Sequence, residues 1–159
     1  MNGQEFDAVL TYHRNIHTCG VARFNHYLAS HLSVPLVDVT EQNGKLARNP
    51  IVSIKFSEFA LTDFPRAASH IQKLPRYSLI LHDQPALPDH FPIIERADVV
   101  MGLNSEIVTR LKEFRPDAVV GFTVASYEAA MPIENPDLRL ITFGMAHKIQ
   151  SNEYRKVAD

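Results

Sequence analysis

The chain has a single cysteine among its 159 residues. One thiol cannot build an internal disulfide framework, and cysteine used so sparingly fits a reducing compartment. No apolar run approaches the roughly 20 residues a membrane-spanning helix needs. The amino-terminal MNGQEF has neither the basic start nor the apolar stretch of a secretory signal. Charge of one sign is missing too. Sixteen Lys and Arg against eighteen Asp and Glu leave a formal charge of -2, which offers no basic surface to nucleic acid or to acidic lipid. These absences predict a cytoplasmic protein with no transmembrane segment and no nucleic-acid partner.

Glycine motifs are lacking as well. Neither G-x-G-x-x-G nor G-x-x-x-x-G-K-[ST] occurs, so the dinucleotide fingerprint and the P-loop are both absent. There is no H-E-x-x-H, and with one cysteine no metal site is predicted.

What is present is an alternation of short apolar runs with helical patterns. Residues 6–12, 34–39, 51–56, 77–82, 98–103 and 117–124 read as strands. The run YSLILH at 77–82 is almost continuously apolar, as expected of a strand covered on both faces of a parallel sheet. Between the runs, Val21, Phe24, Leu28 and Leu32 recur at helical spacing. A second helix carries Ala67, Ala68, Ile71 and Leu74 and ends before Pro75, and a short one covers about 93–97. The last carries Ile107, Leu111 and Phe114, with Ser105 placed as its cap. The proline-rich DQPALPDHFP at 83–92 reads as loop.

Strands alternating with helices imply crossover connections. The expected fold class is therefore α/β, a Rossmann-like three-layer sandwich with a mostly parallel central sheet. Its domain covers residues 1–133. From 134 onward a linker (PIENPD, 132–137) and a fresh strand (LRLITFG, 138–144) predict the start of a second, truncated domain.

Parallel sheets bind ligands beyond the carboxyl ends of their strands. That points to the loops after Tyr12, Leu81 and Leu103. In the first, Gly20 stands at a helix start, where unpaired N–H groups and the dipole favour an anion; the alternative is a glycine that only relieves a tight turn. Cys19 beside it has some tendency toward the thiolate. The C-x5-R loop of a cysteine phosphatase would require arginine where Asn25 stands, so Cys19 reads better as a small buried residue. In the second loop, His82 and Asp83 end the most apolar strand. The imidazole could hydrogen-bond a hydroxyl or phosphate, act as a general base, or simply cap the strand. Lys148 could reach a phosphate from the second unit, or be a solvated lysine.

Four segments together resemble the amino-terminal domain of GT-B-fold glycosyltransferases, specifically the nucleotide-sugar-dependent family 4 type. These are CGVARFNHYLASHL, LILHDQPALP, ADVVMGLNSEIVTRL and LRLITFGMAHK, in that order. The resemblance implies an acceptor-side domain of an enzyme that moves a sugar from a nucleotide-sugar donor to a hydroxyl acceptor. Catalysis would need a carboxyl-terminal partner domain and no cofactor besides the donor. It further implies that Gly20 and its neighbour Cys19 face the donor phosphates and that His82, the catalytic candidate, lies by the transferred sugar. Asp83 would stand beside it, Ser105 and Glu106 at the cleft edge, and Lys148 near the diphosphate. Three departures stand out: one glycine where many members have two, Met145 where arginine is frequent, and no glutamate pair at the family's spacing. The last fits a missing donor domain, so the chain is expected to be inactive alone. A Rossmann-like binding or regulatory module without catalysis, recognising a nucleotide or a protein, is the alternative the sequence leaves open.

Overall fold

A computed structural model describes residues 6–13, 15–17, 19–40, 47–56, 64–83 and 91–121. The chain divides into two units, Met1–Ser126 and Tyr127–Asp159, and all described residues belong to the first. The expected linker, the strand at 138–144 and Lys148 lie outside the described residues.

Six strands form one sheet: β1 (Val9–Thr11), β2 (Leu36–Asp38), β3 (Ile51–Ile54), β4 (Ser78–Leu81), β5 (Val99–Gly102) and β6 (Val119–Val120). Every pairing is parallel and the order is β2-β1-β3-β4-β5-β6. Four helices are described: α1 (Gly20–Leu32), α2 (Phe64–Gln72), α3 (Phe91–Arg96) and α4 (Ser105–Leu111). The architecture is the expected α/β class with an all-parallel central sheet.

Each strand lies within its predicted run. β3 and β4 are buried at every position, which is why their sequences are apolar without alternation. On one face of the sheet Leu10, Val52, Ile54, Leu79, Leu81 and Val100 form the larger core with Ala67 and Ile71 of α2, Ile93 and Ile94 of α3, and Ile107 and Leu111 of α4. On the other face Val9, Ile51 and Ile80 pack with Leu28 and Ala29 of α1. Burying one such Leu or Ile contributes about 1.5–3 kcal/mol, so the larger core dominates stability.

The inward face of α1 differs from the expected stripe. Ala22, Asn25, Leu28 and Ala29 are its buried residues, while Leu32 is 37% exposed. Two alanines let the helix approach the sheet closely, so the bulkier Val21 and Phe24 move to its flank. The helix ends at Ser33, whose left-handed φ of 55° lets the Ser33 and Val34 N–H groups return to Ser30 and Ala29 carbonyls.

Two further expectations are corrected. The cap of α4 is Asn104, whose Oδ1 accepts from the Ile107 N–H at 2.9 Å, and Ser105 is the first helical residue. Both are capping residue types, and β5 ending at Gly102 brings Asn104 into the extended geometry a cap needs. Phe91 and Pro92 begin α3 rather than continuing the loop. Proline suits a first helical turn, where its missing N–H has no partner to lose.

From β1 the chain steps to β2 on one side, and β3 then falls on the other side of β1. A reversal of this kind marks the crevice beyond the carboxyl ends of β1 and β3 as the place where such sheets bind ligands.

Candidate functional site

Three strand ends and the start of α1 meet at that crevice. β1 supplies Thr11 and, just past it, His13, which is only 5% exposed. β3 supplies Ser53, and the turn after β4 supplies His82. These positions share the α1 side of the sheet because strand side chains alternate.

Asn25 links α1 to two of the strands. Its side chain is fully buried, and its Nδ2 donates to Thr11 Oγ1 at 2.8 Å and to the Ser53 carbonyl at 3.2 Å. Its Oδ1 is buried with no hydrogen-bond partner among the described residues. Thr11 Oγ1 also accepts from the His13 N–H at 3.1 Å. This buried polar cluster sits where a core helix would normally present an apolar side chain.

His82 is placed by its own backbone and by two side chains. Its N–H donates to the Ile54 carbonyl at 3.1 Å, extending the ladder past β4. Its Nε2 lies 2.9 Å from Ser53 Oγ, and its ring meets Phe24 edge-on at a centroid distance of 4.9 Å. Burial, with the positive charges of His13 and Lys55 behind it, lowers the imidazole from its usual 6.5 to about 3. His82 is therefore neutral at physiological pH. In that form the ring is a weak base and a ready hydrogen-bonding group.

The start of α1 is electropositive by construction. Its first turn holds no acidic residue, and Cys19, at the cap position, makes no side-chain cap. The leading N–H groups therefore lack the side-chain acceptor that most helices provide. Arg23 stands in the same turn region, where the dipole disfavours a cation. Its Nε and a terminal nitrogen both donate to the Ile16 carbonyl at 3.3 Å, bracing the loop. Sequence analysis does not single out Arg23. A basic residue in a first turn without acid partners was the signal that marks it.

Gly20 is the first residue of α1. A Cβ there would meet no heavy atom of the described residues within 4 Å, and its φ is not left-handed. The turn does not require glycine, so relief of a tight turn is not why it is there; the space before it is open.

The remaining candidates separate. Cys19 Sγ lies 3.7 Å from His13 Nδ1, part-buried, so it does belong to the crevice wall. Asp83 Oδ1 accepts from the Phe56 N–H at 2.7 Å and ties the turn after β4 to the end of β3. Ser105 and Glu106 are exposed at the start of α4, past β5 and across β4 from the crevice. Among the described residues no group of three metal-ligating side chains assembles and no helix is long and apolar enough to cross a membrane.

Comparisons with family models, with curated proteins and with solved structures find no match. The functional reading therefore rests on the crevice and on the residues that line it.

Proposed function

We propose that the chain is the amino-terminal, acceptor-side domain of a GT-B-type glycosyltransferase working in the cytoplasm on glycan or polysaccharide synthesis. The complete enzyme moves a sugar from a nucleotide-sugar donor to a hydroxyl acceptor. One observation carries the reading: a neutral, anchored imidazole and an acid-free helix start lie together at the switch-point crevice of a parallel sheet. The resemblance of the CGVARFNHYL and LILHDQPALP segments to the family supports it independently.

In this reading the open N–H groups at Gly20 and the α1 dipole receive the donor diphosphate and offset the charge that grows on it as the glycosidic bond breaks. His82 hydrogen-bonds an oxygen of the transferred sugar and orients it. The buried tie from Asn25 to β1 and β3 keeps the helix start and the imidazole in fixed register. The second domain supplies the rest of the donor site.

The test is transfer by the product of the whole reading frame. Purified protein is incubated with a panel of nucleotide sugars and sugar acceptors, and products are read by mass spectrometry for wild type and His82→Ala. Transfer that falls roughly ten- to a hundredfold in the variant is expected for loss of one hydrogen bond to a polar substrate. Nucleotide binding without turnover supports the binding module instead, and turnover unaffected by His82→Ala removes His82 from the site.

A further inference from the structure

We propose that Ser53 is a positioning residue that sets the tautomer of His82, placing the ring proton on Nδ1 so that the crevice offers its ligand a donor. The inference rests on the reading that His82 contacts the ligand, and it adds which ligand atom the ring can recognise.

Ser53 is fully buried in the centre of the sheet. Among the described residues its hydroxyl oxygen has one hydrogen-bond partner, His82 Nε2 at 2.9 Å. A serine hydroxyl carries one proton to donate and lone pairs to accept with. If Nε2 carried the ring proton, Ser53 would have to accept, and its own proton would point into the sheet with nothing to receive it. Buried donors in native proteins are paired. Ser53 therefore donates, Nε2 accepts, and the single proton of the neutral ring stays on Nδ1.

Ser53 can impose this because little else in the surroundings can move. Asn25 binds the Ser53 carbonyl, so α1 and β3 are fastened at that very residue. Phe24, the neighbour of Asn25 on α1, closes the ring from its side. The other ring nitrogen, Nδ1, has no hydrogen-bond partner among the described residues, and the residue is part-exposed. An N–H there recognises an oxygen lone pair, on a sugar hydroxyl or on a phosphate. It rejects a ligand group that can only donate.

The experiment reads the ring nitrogens directly. The chain is labelled with ¹⁵N-histidine and its imidazole pattern recorded at pH 7 by long-range ¹H–¹⁵N correlation. His82 is assigned among the eight histidines by the signal that His82→Gln removes. The expected wild-type pattern has Nδ1 protonated and Nε2 bare, and in Ser53→Ala the ring moves toward Nε2–H or averages between the two. Ser53→Thr, which keeps the hydroxyl, restores the wild-type pattern. A wild-type ring protonated on Nε2, or an unchanged pattern in Ser53→Ala, overturns the proposal. Should Ser53→Ala fail to fold, the wild-type spectrum decides alone. Because this spectrum is recorded without ligand, it stands apart from the transfer assay. A correct tautomer in a protein that never consumes a nucleotide sugar refutes the transferase reading and leaves this one in place.

Discussion

Gly20→Ala distinguishes a glycine kept for the fold from one kept for a ligand. The added methyl meets nothing within 4 Å among the described residues, and the backbone there needs no left-handed φ. Alanine at a compatible position gains about 0.4–1 kcal/mol, chiefly by restricting the unfolded chain. For a chain of this length that corresponds to about 2–4 °C per kcal/mol in Tm, so the variant melts level with wild type or slightly higher. Ligand binding moves the opposite way. The methyl fills the space in which an anion would reach the first N–H groups of α1. Losing one charge-assisted hydrogen bond costs about 1.5–3 kcal/mol, which is roughly ten- to a hundredfold in Kd. Thermal melts and calorimetric titration with uridine, guanosine and adenosine diphosphates measure both quantities on the same preparation. A variant that melts several degrees lower, or binds as tightly as wild type the diphosphate that wild type prefers, refutes the reasoning.

The other predictions concern stability. The folded-state pKa of His82, about 3, lies below its unfolded value of 6.5. The unfolded chain therefore binds more protons in that window, and the stability this group contributes is complete above about pH 6.5 and lost as pH falls toward 3. Denaturant melts of His82→Gln should show a flatter profile between those limits, and an unchanged profile would contradict the burial argument. Gly102→Ala should destabilise by about 1–3 kcal/mol through overpacking, because its Cβ would stand 2.8 Å from Ile107 Cγ2 and 2.9 Å from Val108 Cγ2; a native melting temperature would show that α4 yields. Asn104→Ala should cost about 1 kcal/mol as a lost cap while Ser105→Ala changes stability little, and the reverse order in urea melts would return the cap to Ser105.

The fold was legible in the sequence because its strands and helices have different periods. YSLILH and IVSIKF have the mostly apolar, non-alternating character of strands covered on both faces, and Ala67, Ala68, Ile71 and Leu74 are all buried as their spacing predicts. The strand-end rule also pointed to Gly20 and His82, which the structure places at the start of α1 and just past β4, since it depends only on where strands stop. Asn25 escaped because a polar residue on an amphipathic helix reads as outward-facing, and nothing local shows that two alanines rotate that face inward. Ser53 escaped because it sits inside an apolar run and acquires meaning only when β4 brings His82 beside it, 29 residues further along the chain. Pairings of this kind are properties of strand order, and the order β2-β1-β3 is not written in any one segment. Cap identity at α4 was missed by one residue, since Asn104 and Ser105 are adjacent and chemically alike in this respect.

The central claim is that the α1 start and the turn after β4 form one ligand site. An ¹⁵N amide titration of the chain with nucleotide sugars tests it most directly. The account predicts that the amides of Cys19, Gly20 and Val21 shift together with that of His82, along one saturation curve, while Val119 and Val120 at the sheet edge stay still. Shifts confined to other segments, or separate curves for Gly20 and His82, would contradict it.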